Sequence, residues 1–196
     1  ASRQWSPLDA VDRSNVSELE VAWTYHAGEP EAAGLQMQTN PLVVEGVFYG
    51  VSPNLVLFAL DAATGRPCDD FGDAGTVDLL KGIGETRPGE YTMTSPPVVI
   101  DGIVVTGAWV TDGQRVDAPG GVIRGWDART GALVWAWDPV PEGADPVTAE
   151  EAEAGAIYTR GTANAWSLLS ADEALGLVYL PMGNVAPDHY GGERHG

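Results

Sequence analysis

Gly121-Val-Ile-Arg-Gly-Trp-Asp-Ala-Arg-Thr-Gly-Ala-Leu-Val-Trp-Ala-Trp-Asp138 decides the fold of this chain. A short β-branched run ends in Asp127, a turn follows at Ala128 to Gly131, and a second run carries Trp135 and Trp137. Asp and Gly suit such a turn: Asp bonds its own backbone two residues on, and Gly tolerates positive φ. A weaker copy lies upstream in Leu57-Phe-Ala-Leu-Asp-Ala-Ala-Thr-Gly65. A strand–turn–strand unit met twice is the signature of an all-β repeat architecture.

Shorter hairpins surround these two. Asn40 to Gly50 holds two apolar runs across a Glu-Gly turn, and Pro97 to Gly107 repeats the pattern across Asp-Gly. A third version runs from Leu168 to Asp172 and from Gly176 to Leu180. Val21-Ala-Trp-Thr-Tyr25 alternates like a further strand. The offsets are unequal, 56 residues from Gly46 to Gly102 and 66 from Asp61 to Asp127, so the repeat carries insertions. Four short antiparallel strands per unit is what a propeller blade requires. At roughly 40–50 residues per blade, 196 residues make about four blades or fewer. The expected class is therefore all-β, a partial β-propeller over 21–196 behind an N-terminal arm over 1–20. A short helix capped at Ser14 or Asn15 is expected in the arm, and another turn or two of helix over Thr148 to Ala154.

Composition narrows the function. The chain is 44% hydrophobic with 25 Gly, 14 Pro and seven Trp, which suits many tight turns and large flat side chains. Its formal charge of −18 repels phosphate backbones and anionic lipid, so nucleic acid is excluded as a partner class. No apolar run approaches the ~18 residues of a membrane-spanning helix. The chain opens at Ala1 without a charged and apolar leader, so any targeting segment is expected to have been removed or left out. The single Cys68 leaves no intramolecular disulfide to form.

The order of motifs resembles the quinoprotein dehydrogenases, which bind pyrroloquinoline quinone (PQQ) and a divalent cation in an eight-bladed propeller, and within them the membrane-associated quinoprotein glucose dehydrogenases. The resemblance runs through Ser6-Pro-Leu-Asp9, Val21-Ala-Trp23, Thr94-Ser-Pro-Pro97, Val110-Thr-Asp112, Gly121 to Gly125, Asn164-Ala-Trp166, Val178 to Asn184 and Pro187-Asp188. It implies a PQQ-dependent oxidation of a sugar or alcohol, with hydride transfer to the quinone. It also implies Ca2+ (or Mg2+), a membrane quinone or cytochrome as electron acceptor, and a periplasmic location, in the intact family member beside the inner membrane.

The resemblance also assigns residues. Trp166 is implied as the floor on which the quinone lies, since a large π-face suits a tricyclic cofactor; a core Trp packed between blades is the other reading. Asn184, 18 residues on, is implied as a cation ligand, its amide oxygen suiting a hard cation, with a strand-capping Asn as the alternative. Asp112 sits where the glucose-oxidising branch carries Thr-Asp-Asn near the cation, but Gly113 replaces that Asn and Ala186 replaces a hydroxyl. Thr94 is a candidate donor to the quinone, or a strand-edge Thr. Arg124 is a candidate partner for a quinone carboxylate, or a structural bridge to an acid such as Asp127. His26, His189 and His195 show no metal-ligand spacing. No residue is expected to be catalytic, because the family's base and the basic residue over the quinone belong to blades later than Gly196. About one blade is also expected to be missing between the segment ending at Gly65 and the segment at Arg66 to Gly72. The alternative in a different class is a non-catalytic propeller scaffold for protein contacts, in which Trp166 is buried and faces no cavity.

Overall fold

The computed structural model describes residues 9–30, 37–140 and 147–192. Two four-stranded antiparallel sheets carry the fold. The first joins β1 (Leu42–Val44), β2 (Val47–Val51), β3 (Val56–Asp61) and β4 (Thr76–Asp78) in that order. The chain then passes β5 (Tyr91–Thr92) into the second sheet. That sheet contains β6 (Val98–Ile100), β7 (Ile103–Thr106), β9 (Ile123–Asp127) and β10 (Leu133–Trp137), ordered β6-β7-β9-β10. Between β7 and β9 the chain leaves the sheet, and β8 (Trp109–Val110) pairs with β5. A short helix α1 (Ala149–Glu153) precedes a last hairpin, β11 (Ser170–Asp172) and β12 (Leu177–Tyr179), which sets β11 beside β6. Among the described residues the sheets form an unclosed series.

Turn chemistry explains why the same turn forms twice, although a strand follows directly only after the second; after Gly65 a single bridge, Leu60 to Pro67, stands in its place. Asp61 Oδ1 accepts the amide and the hydroxyl of Thr64 at 2.8 and 2.7 Å, and the Gly65 amide returns to the Asp61 carbonyl. Asp127 treats Thr130 the same way at 2.7 and 2.8 Å, closed by Gly131. Gly65 and Gly131 have φ of 69° and 67°, the left-handed region where a side chain costs energy. Hydrogen bonds from the two threonines hold both carboxyls below the ordinary 3.8. The Glu-Gly and Asp-Gly turns of the shorter hairpins also take positive φ at both residues, as two-residue hairpins with the favoured twist do.

The sheets stack face to face. Leu57, Ala59 and Tyr49 of the first meet Val104 and Trp126 of the second around Phe71, Leu79 and Ile83. Tyr49 donates its hydroxyl to the Ala128 carbonyl, and the Gly72 amide bonds the Thr130 carbonyl, so the strand turns of the two sheets are tied as well. A smaller core of Ile100, Val105, Ile123, Ala165 and Leu169 fills the next gap, against the last hairpin. The outer strand β10 is exposed along its whole length.

The hairpins expected from sequence form where expected, as does the helix after Thr148, whose side chain and that of Glu151 make a reciprocal cap. In the arm only a 3-10 turn forms, Val16–Glu18; Asn15 stands at its cap, but its side chain bonds Ala10 and Asp12 instead. The strand expected at Val21 to Tyr25 does not form. Its alternation is real, with Trp23 edge-on to Phe48 and Tyr25 against Phe58. But those rings lie on the face of the first sheet, so the segment packs by side chains and enters no ladder among the described strands. His195 lies outside the described residues.

Candidate functional site

Three connecting segments, all outside the long strands, converge beside β8. They are 89–95 leading into β6, 164–168 leading into β11, and 183–188 after β12. The first two, with Trp109 of β8 and Gln38, line a cleft of about 670 Å³. This is within the range of small-molecule sites, and the lining mixes aromatic faces with hydroxyls.

Trp166 forms one wall, and it is 49% exposed rather than packed between sheets. Its main chain is held: the Trp166 carbonyl accepts the hydroxyls of Thr94 at 2.9 Å and Ser95 at 2.7 Å. Gly183 lies beside the indole, close enough that a Cβ there would sit 3.4 Å from Nε1. The main chain that carries the ring is thus held, and the half-exposed ring lines the cleft.

Asp112 and Asn184, 72 residues apart in sequence, are brought together by a closed circuit. The Asn164 amide nitrogen donates to the Asp112 carboxylate at 2.6 Å. The Asp112 carbonyl accepts the Asp188 amide at 2.9 Å, and Asn184 donates to the Asp188 carboxylate at 2.7 Å. The Gly183 amide closes the loop on the Asn164 carbonyl at 2.8 Å. Two carboxylates and two amides, those of Asp112, Asp188, Asn164 and Asn184, meet in this circuit, and Asn164 stands two residues before Trp166; such side chains offer oxygens of the kind a hard cation takes. Among the described residues no group of three or more His, Cys, Asp or Glu is assembled. Gly113 has a local cause: a Cβ there would lie 2.9 Å from the His189 ring, which takes the space.

Arg124 is elsewhere. It is 2% exposed, donates to the Leu79 carbonyl and, at 3.1 Å, to that of Lys81, and stacks 5.1 Å over the Trp126 ring. It does not line the cleft, nor does it bridge to Asp127. Burial, partly offset by this guanidinium, raises the Tyr91 phenol above its ordinary value. Burial and neighbouring acids likewise raise the Cys68 thiol, away from nucleophile chemistry.

Sequence reasoning missed Ser95, Trp109, Asn164 and Asp188. Ser95 and Asn164 stood within motifs already quoted, and Asp188 follows Asn184 by four residues. Trp109 carried no signal, since a Trp on a two-residue strand reads as any other core aromatic.

Comparison with known proteins bears on this site. The family model described as "PQQ: Glucose/ethanol/alcohol dehydrogenase, beta-propeller domain" matches residues 1–63 and 51–196. The chain is 42% identical over 188 residues to the glycerol dehydrogenase large subunit of Gluconobacter oxydans (strain 621H), covering 93% of this chain and 24% of that protein. It is 28% identical to the quinoprotein glucose dehydrogenase of the same organism over 265 residues, covering 99% of this chain and 32% of that protein. The latter alignment is longer than this chain, so it includes positions of that glucose dehydrogenase without a counterpart here. Among solved structures, a europium-containing methanol dehydrogenase matches with a TM-score of 0.50 at 18% identity, covering 75% of this chain and 26% of that one, which bears on fold alone. The chain spans about a quarter of the length of the glycerol dehydrogenase large subunit.

Proposed function

Since the chain belongs to the glucose/ethanol/alcohol dehydrogenase β-propeller family, we propose that it is part of a PQQ-dependent dehydrogenase oxidising a sugar or alcohol, with Trp166 as the surface on which the cofactor lies. The half-exposed indole of Trp166, fixed by its own backbone at a cleft wall, carries this reading. A scaffold module would bury that Trp with no cavity before it, so the observation weighs against the alternative. The residues present fit both groups: flat apolar area for a planar ring at Trp166, and the side-chain oxygens of Asp112 and Asn184 for a cation.

Trp166 removes one face of a bound ring from water, and Thr94 and Ser95 hold the main chain that carries the indole. Asp112 and Asn184 would hold Ca2+ (or Mg2+), joined to the Trp166 segment through Asn164 and Gly183. When bound, the quinone supplies the hydride acceptor, and the cation draws charge from its carbonyl. We assign no residue of this chain as the base that takes the substrate hydroxyl proton. In this reading electrons pass on to a membrane quinone or cytochrome in the periplasm. Arg124 has no part in this proposal, because its donors are spent on the loop carbonyls.

The test is a titration of the purified protein with PQQ and calcium, followed by tryptophan fluorescence and repeated with Trp166→Ala. A saturable quench that the variant loses is expected. A wild-type signal that never saturates, or an identical response from the variant, overturns the proposal.

A further inference from the structure

The circuit that joins Asp112 to Asn184 contains an atom without a partner. Asn164 is fully buried, its nitrogen faces the Asp112 carboxylate, and its side-chain oxygen has no hydrogen-bond donor. The orientation of the amide is set by chemistry, because an ionised carboxylate only accepts, so the nitrogen must be the end that meets Asp112. A buried acceptor left unpaired is costly. The donor requirement at Asp112 would be met equally by a hydroxyl of similar reach, which leaves the amide oxygen to be explained. Of the three unpartnered buried side-chain oxygens among the described residues, those of Thr39, Asp138 and Asn164, only the last belongs to a side chain bonded to Asp112.

We infer that Asn164 is a further oxygen ligand of the cation held by Asp112 and Asn184, and that its nitrogen positions the Asp112 carboxylate for the same ion. This rests on the cation site of the proposed function. The chemistry is that of hard divalent ions, which combine neutral amide oxygens with carboxylates. The amide does two jobs at once: its nitrogen lowers the repulsion around Asp112 when no ion is bound, and its oxygen enters the coordination sphere when one is. The main chain of Asn164 is fixed by Gly183, and Trp166 follows two residues later. An ion here is therefore rigidly linked to the aromatic wall.

The experiment uses the full chain without PQQ. Tb3+ replaces Ca2+ as a luminescent probe excited through nearby tryptophan, with Ca2+ as competitor. The wild type should give a saturable signal that Ca2+ displaces. Asn164→Ala should weaken Tb3+ binding about tenfold or more, the scale of changes that disturb a metal's immediate support. Asn164→Asp keeps the oxygen but sets a second carboxylate against Asp112. Its melting temperature without cation should fall below wild type and be restored by Ca2+, with Tb3+ affinity retained or tightened. Asn164→Ala that binds Tb3+ as the wild type does overturns the inference, as does Asn164→Asp whose melting temperature ignores Ca2+. Either result would mean that a buried water satisfies the amide oxygen. Should Asn164→Ala fail to fold, the aspartate variant decides alone. A wild type that binds no Tb3+ overturns the cation site, while the PQQ titration at Trp166 remains a separate measurement.

Discussion

Arg124→Met tests whether the buried guanidinium works as a structural tie. A hydrogen bond from a charged donor contributes about 1.5–3 kcal/mol, and Arg124 makes two to main-chain carbonyls, at Leu79 and Lys81. Leu79 is buried, so its carbonyl would be left unsatisfied, whereas Lys81 is exposed and water can replace the lost donor there. Loss of the stacking over Trp126 adds about 1 kcal/mol. Against these stands the relief of a buried charge, which offsets part of the total. The net expectation is a loss of about 3 kcal/mol, a large share of the roughly 5–15 kcal/mol of an ordinary domain. In urea unfolding this moves the midpoint down by about 1.5 M for a slope near 2 kcal/mol/M. Arg124→Lys keeps the charge but not the fork, reaches one carbonyl, and should lose about half as much. A loss under about 1 kcal/mol at unchanged slope refutes the tie. So does an Arg124→Lys protein of wild-type stability whose PQQ affinity has dropped tenfold, since Arg124 would then act on the cofactor.

Three further outcomes follow from the geometry. Trp166→Ala should change unfolding free energy by no more than about 1 kcal/mol, because the indole is half exposed; a larger loss in urea unfolding would make it a core residue after all. Gly125→Ala should cost about 1–2 kcal/mol, read by thermal unfolding, because a Cβ there would lie 2.3 Å from the Trp135 ring, which must swing outward; an unchanged melting temperature would mean the ring does not rest there. Asp61 and Asp127 have folded-state values below the ordinary 3.8, so their contribution is present above that pH and lost as pH falls through the lowered values. Acid should therefore destabilise the wild type below about pH 4, and Asp127→Asn should flatten that dependence; equal slopes for the two proteins would remove the turn carboxylates as its source.

What the sequence could reveal depended on how local each determinant was. The Asp-Thr-Gly turns were legible because every bond that makes them lies within four residues, from Asp127 to Gly131. Val21 to Tyr25 misled because alternation encodes which side chains are buried but says nothing about whether an edge is free to pair. Arg124 was read as chemical because Arg suits carboxylates; its actual partners are carbonyls of a loop 43 and 45 residues earlier. The site itself divides the same way. Trp166, Asp112 and Asn184 came from a resemblance that spans the chain, but the bonds that unite the last two run through Asn164 and Asp188, from Asn164 to Asp112 and from Asp188 to Asp112, between segments far apart in the chain. No periodicity marks such residues, since each sits in a connection whose path is set by the sheets on either side. That is also why the circuit is a sensitive feature of this fold. Asn164 is held by a strand-to-strand connection, Asp112 by the excursion after β8, and Asn184 and Asp188 by the chain beyond β12, so these four residues tie three separate connections to one another.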